Sequence, residues 1–125
     1  AADVIFTTCV SVRRNALLEA MWKDGAPEIH QVVLDEAAQC AEPEALCPAA
    51  LARSADRVVM FGDHRQLRPA VRSAAAAEAG LGVSLFERLL ALRDGAAPAT
   101  PEEPLHTLLD EQLRMHPDVS SFPSR

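Results

Sequence analysis

Gln31-Val32-Val33-Leu34-Asp35-Glu36 decides the fold: a short apolar run that stops at two adjacent carboxylates. Such a run reads as a buried strand of a parallel sheet, whose two covered faces favour continuous rather than alternating apolar residues. Arg57-Val58-Val59-Met60-Phe61 is a further strand, closed by Gly62-Asp63. Val4-Ile5-Phe6-Thr7-Thr8-Cys9-Val10 is an earlier one, β-branched and apolar. Helical patterns lie between these runs. Strands alternating with helices predict an α/β unit with a parallel sheet. In such sheets ligands sit at the carboxyl ends of the strands, where the charged residues after Leu34 and Phe61 fall.

Working outward, Val12 to Trp22 carries apolar residues at helical spacing (Ala16, Leu17, Leu18, Met21, Trp22) and is stopped by Gly25-Ala26-Pro27. Trp22 is expected to anchor that helix on the core. Glu42-Pro43-Glu44 opens a helix running to about Arg53, since acidic residues and proline suit a first turn. A short Ala-rich helix is expected over Ser73 to Ala79, ended by Gly80. Ser84 caps an amphipathic helix from Leu85 to Leu92, with Glu87 completing a capping box. Asp94 to Pro104, rich in Ala, Pro, Gly and Glu without an apolar period, reads as a linker. Leu105 to Leu109 reads as a strand, and Met115-His116-Pro117 turns into a short segment ending at Phe122.

The 125 residues suit one compact domain or part of a larger one. Alanine supplies much of the 49% apolar fraction and aromatics are scarce, so an aliphatic core of Val, Leu, Ile, Met and the four Phe is expected. The net charge of −6 excludes a generally basic nucleic-acid binder; any such contact needs a local basic surface. Both ends look cut, which suggests a fragment. No run of about 18 apolar residues provides a membrane span, and no signal peptide is expected. Cys9, Cys40 and Cys47 are odd in number and lack a close CxxC pair. They read as reduced, partly buried thiols of an intracellular protein. The alternative, a zinc site shared with one of His30, His64, His106 or His116, lacks the closely paired ligands usual for structural zinc.

Two carboxylates at a strand end can divide labour, because successive side chains point in different directions. One can face a hydrated magnesium ion, which needs few protein ligands; the other can face an attacking water. The alternative is a solvated turn. In Gly62-Asp63-His64-Arg65-Gln66-Leu67-Arg68-Pro69 the glycine allows a tight turn off the sheet. Gln66, both donor and acceptor, can bond a γ-phosphate and a water together. The alternative is a polar loop in which Asp63 caps local amides. Arg53, Arg57, Arg65, Arg68 and Arg72 form the densest basic run. It is either a phosphate-facing patch or a solvated surface balanced by Glu42, Glu44 and Asp56. His64 and His116 are expected to make local hydrogen bonds.

These blocks resemble the up-frameshift (nonsense-mediated decay) type of superfamily 1 helicase, with the zinc-finger helicases as first choice among close relatives. Val33 to Gln39 is similar to motif II (Walker B), and Ala41-Glu42-Pro43-Glu44 to its continuation. Gly62 to Pro69 resembles motif III. Leu109 to Pro117, with Phe122-Pro123-Ser124, resembles motif IV. Asp3 to Val10 resembles motif Ic. The resemblance implies a partial RecA-like, P-loop NTPase domain over residues 1–93, a linker over 94–104, and the start of a second RecA-like domain over 105–125. It implies a helicase motor that uses ATP and magnesium and translocates on single-stranded RNA or DNA together with the rest of its parent chain, in the cytoplasm or nucleus. By the same resemblance, Asp35 holds magnesium through water, Glu36 is the catalytic base and Gln66 senses the γ-phosphate. Arg114 reaches the nucleotide phosphates, with Gln112 and Leu113 beside the nucleotide. The resemblance also implies that Thr7, Thr8 and Val10 lie near the nucleic acid; of the basic run, Arg65 and Arg68 are the residues expected to join them.

Leu113 stands where the family usually has an aromatic residue, so a plain apolar contact replaces stacking on adenine. No G-x-x-x-x-G-K-[ST] phosphate loop occurs in these residues, and the chain alone is expected neither to bind ATP tightly nor to hydrolyse it. The rival expectation is a nucleic-acid-binding or scaffold module that keeps the helicase fold with weak or no ATPase activity.

Overall fold

A computed structural model describes residues 3–25, 28–52, 55–94 and 106–121. Its centre is a parallel pair of strands, β1 (Gln31–Leu34) and β2 (Arg57–Met60), in the register Gln31↔Arg57 to Leu34↔Met60. Both of these were expected as strands, and β2 stops one residue short of Phe61. On β1, Val32 and Leu34 are buried while Gln31 and Val33 are exposed. The sheet therefore packs on one face, and the alternation is that of a half-covered strand rather than the doubly buried one expected.

Helix α1 (Asn15–Trp22) follows a 3₁₀ turn, Ser11–Arg13, and is separated from it by Arg14 in extended backbone. The single helix expected from Val12 is thus broken. The Ser11 amide donates to Thr8 Oγ1 at 3.1 Å, a local cap on the 3₁₀ turn ahead of that break. Trp22 is 56% exposed, so it does not anchor α1 on the core in the expected way. Helix α2 (Glu42–Leu51) opens with Glu42, Pro43 and Glu44 in its first turn, as read from the sequence. Arg53, the expected end, lies outside the described residues.

A single turn, α3 (Ala74–Ala76), runs into a wider π-type turn (Ala77–Leu81) and breaks at Gly80, whose φ is +96°. Ser73 Oγ accepts the Ala76 amide at 3.3 Å and starts it. Helix α4 (Leu85–Asp94) runs to the first residue of the expected linker, whose remainder lies outside the described residues. Helix α5 (Pro117–Ser120) is one turn, started by His116, whose Nδ1 accepts the Asp118 amide at 3.4 Å. Leu105 and Phe122 also fall outside the described residues.

Two expected strands do not form. Residues 4–8 and 106–109 have no ladder, and Phe6 is 94% and Leu108 81% exposed. β-propensity records how well a side chain suits a pleated, half-buried surface. Without a neighbouring strand, these β-branched and leucine-rich runs have none to suit.

The core is smaller and more alanine-rich than composition implies. Val32, Leu34, Ala37, Ala45, Ala52 and Leu85 form one buried cluster, flanked by Cys9, Ile29, Cys40, Ala55, Met60 and Phe86. Phe6 and Phe61 stay exposed. Small residues let α2 and the turn after β1 lie close to the sheet, and that closeness defines the geometry at the strand ends.

Candidate functional site at the strand ends

The parallel pairing carries both loops to one edge. Past the last paired residues, the Phe61 amide donates to the Leu34 carbonyl and the Ala37 amide to the Phe61 carbonyl, each at 2.8 Å. The chain after β1 folds into a 3₁₀ turn, Ala37–Gln39, and Ala37 and Ala38 are buried beneath it. Glu36 makes the bend with φ 53° and ψ 36°, the one non-glycine residue with positive φ among those described. A left-handed glutamate costs about 1 kcal/mol, and such strain gathers at functional sites.

Asp35 and Glu36 do point to different partners. Asp35 Oδ1 accepts the Glu36 amide at 3.0 Å, while Glu36 Oε2 accepts from Gln39 Nε2 at 2.9 Å. Both acids are exposed at the edge. The bond from Gln39 was not foreseen; a donor three residues along a tight turn is the signal that could have revealed it.

Gly62 is needed for closeness rather than for an unusual backbone. A Cβ there would lie 2.9 Å from the Ala38 amide nitrogen and 3.3 Å from that of Ala37. The Gly62 loop therefore rests directly on the backbone of the acidic turn. Asp63 organises the rest of that loop: its Oδ1 accepts the Arg65 amide at 2.9 Å and its Oδ2 accepts from Gln66 Nε2 at 2.7 Å. These bonds, the Arg65 amide first, hold the Asp63 carboxyl below its ordinary value. The local capping weighed from sequence is present, and it also fixes Gln66.

The basic run is divided. Arg57, Arg65 and Arg72 are exposed, and Arg53 is outside the described residues. Arg68 donates to Glu87 at 2.6 Å. Glu42, expected to balance the run, instead receives a fork from Arg88: Nε to Oε2 and a terminal nitrogen to Oε1, both 2.7 Å. That fork lowers the Glu42 pKa and raises that of Arg88. Both pairs join residues far apart in sequence.

Thr7, Thr8 and Val10 lie on the exposed segment before α1, where the Thr7 hydroxyl donates to the Thr8 carbonyl at 3.2 Å. Gln112, Leu113 and Arg114 are exposed on the segment before α5. Gln112 closes a local turn, its amide donating to the Met115 carbonyl at 3.1 Å and its carbonyl accepting the Met115 amide. Asp35, Glu36 and the Gln66 loop are thus gathered at one edge, whereas the recorded bonds of Gln112 stay within its own segment.

Cys9, Cys40 and Cys47 are free and half-buried. Burial, then Cys9 and Glu44 nearby, push the Cys40 thiol up to about 12. Among the described residues, no group of three or more His, Cys, Asp or Glu side chains gathers as a metal cluster. No helix there is long and apolar enough to cross a membrane. The edge offers oxygen donors, and Asp35 keeps its second oxygen unbonded among the described residues. That arrangement fits a hydrated magnesium ion, which can be held by one carboxylate.

The family described as AAA domain matches residues 1–74. The chain is 40% identical over 123 residues to the Regulator of nonsense transcripts 1 homolog of Neurospora crassa, a match covering 98% of the chain and 10% of that protein. It is 38% identical over 123 residues to the ATP-dependent helicase NAM7 of Saccharomyces cerevisiae (98% and 11%). It is 37% identical over 122 residues to the 3'-5' exoribonuclease HELZ2 of Homo sapiens (98% and 4%). The chain therefore spans about a tenth of the length of the first relatives it matches.

Proposed function

This chain belongs to the AAA-domain family, among superfamily 1 helicases of the up-frameshift type, and on that premise we propose that it carries the hydrolysis-and-sensing edge of an ATP-dependent helicase motor. The observation that supports this most is the contact of Gly62 with the Ala37 and Ala38 amides. It sets the acidic turn and the glutamine loop side by side on paired strands.

In this reading Asp35 holds magnesium through water, and the ion, when bound, offsets charge on the triphosphate. Glu36 receives a proton from the attacking water, its carboxylate aimed by Gln39. Gln66 bonds the γ-phosphate and the water, exchanging its resting partner Asp63 for them. Thr7, Thr8, Val10, Arg65 and Arg68 contribute contacts to a single strand of RNA or DNA. Gln112, Leu113 and Arg114 open a second RecA-like domain, and Arg114 completes the nucleotide site across the cleft. The phosphate loop belongs to the remainder of the parent chain, and the parent works in the cytoplasm or nucleus.

The test uses the full-length parent. Glu36→Gln should lower nucleic-acid-stimulated phosphate release by about 10²- to 10⁴-fold while leaving binding of a non-hydrolysable ATP analogue intact. A full-length wild type whose phosphate release ignores single-stranded nucleic acid, or a Glu36→Gln variant that hydrolyses normally, sinks the reading.

A further inference from the structure

The loop from Gly62 to Pro69 is held at both ends. Its start lies against the backbone of the acidic turn. Its far end is fixed by buried Pro69 and by the Arg68 guanidinium on Glu87 at 2.6 Å. Glu87 was noticed in the sequence only as half of a capping box. Its amide does donate to Ser84 Oγ at 3.1 Å, but its carboxylate is spent on Arg68, 19 residues back.

Glu87 is itself well placed to act as an anchor. Its side chain is only 19% exposed, against 63% for Arg68. The helix that carries it is tied to the acidic turn and to the chain just after it by three features. Ser84 is fully buried and forms an isolated antiparallel bridge with Ala41. Arg88, the next residue, forks onto Glu42 in the first turn of α2. Leu85 joins Ala37 in the core. The first turn of α4 thus touches the chain after Glu36 on one side and the chain after Gln66 on the other.

We propose that Glu87 is a positioning residue: through Arg68 it sets where the Gln66 loop stands relative to Asp35 and Glu36. The proposal rests on the motor reading above and adds a residue to it. Arg68 uses one of its nitrogens on Glu87 and has five N–H donors in all, so the carboxylate also orients the donors left for a phosphate backbone. Loss of the anchor frees the loop's far end, and the turn that Asp63 closes over Arg65 and Gln66 opens more often. The loop then samples more positions, and Gln66 meets the γ-phosphate less often.

Two measurements on the full-length protein test this with Glu87→Gln, which keeps the size of the side chain and removes its charge. Hydrogen exchange at the Arg65 and Gln66 amides should rise about fivefold, the scale of one ion pair, while exchange in β1 stays unchanged. With oligouridylate or oligothymidylate as the single strand, stimulated kcat should fall about fivefold, with KM for ATP within twofold. Unchanged exchange at residues 65 and 66 overturns the proposal. Raised exchange with stimulated kcat intact overturns it too, leaving the pair as a mere fastener. A wild type without nucleic-acid stimulation sinks the motor reading instead, and the exchange measurement still judges the anchor.

Discussion

Gly62 and Cys40 show how much one side chain can impose. At Gly62 the neighbours are the Ala37 and Ala38 backbone nitrogens and the Ala38 Cβ, none of which can step aside as the end of a flexible side chain can. Gly62→Ala should cost about 1–3 kcal/mol of stability, the usual range for overpacking, read as a lower urea midpoint. A midpoint equal to wild type would show that the two loops can part without penalty. Cys40 is the residue with a pH signature. Its thiol is pushed from 9.0 to about 12, chiefly by burial. Because the folded value is raised, the protonated thiol's contribution is fully present below the unfolded value of 9.0 and is lost as pH rises from there towards 12. At pH 8 the folded thiol should react with iodoacetamide at least about tenfold more slowly than the same cysteine in unfolded chain, since the thiolate is the reacting species and its greater basicity offsets only part of its scarcity. Mass spectrometry of alkylated peptides measures this, and equal labelling of Cys40 in both states would contradict it.

Elements were legible where the signal was local. β1 and β2 announce themselves as short apolar runs ending in acid or glycine, α2 by its Glu-Pro-Glu opening, and α4 by Ser84. Ser84→Ala removes the acceptor for the Glu87 amide at a fully buried position. The loss should be about 1 kcal/mol, as for other helix caps, seen as an earlier thermal transition by circular dichroism; an unshifted transition would mean the cap is idle. The strand expected at 4–10 and the described part, 106–109, of that expected at 105–109 do not form, because composition cannot say whether a neighbour is present. The break at Arg14 was missed because apolar spacing does not report the extended backbone (φ −68°, ψ 135°) of one polar residue. At the site, the local parts could be read directly: the carboxylate pair, the glycine, and Asp63 capping its own loop. The Arg68–Glu87 and Arg88–Glu42 pairs could not, since any of several acids could have served each arginine until the fold chose.

At the largest scale, the buried cluster is modest, and among the described residues the sheet has two paired strands. Three-strand sheets or better are the usual minimum for independent stability unless helices help, and here α2 and α4 provide that help. Large apolar side chains remain outside, among them Phe6, Leu113 and Leu109 at 94%, 89% and 77% exposed. These 125 residues contain no phosphate-loop motif, so the backbone amides that cradle β- and γ-phosphates are not among them. The chain alone should therefore release no phosphate from ATP above background in a malachite-green assay, with or without single-stranded nucleic acid. Stimulated release from the isolated chain would refute this.

The seat of Gly62 has a mechanical corollary. Two gears mesh without backlash only when nothing soft lies between their teeth, and here one tooth is a peptide backbone and the other a residue with only hydrogen to offer. In the motor proposed above, a push on the glutamine loop would pass straight to the acidic turn, because no flexible side chain separates the two.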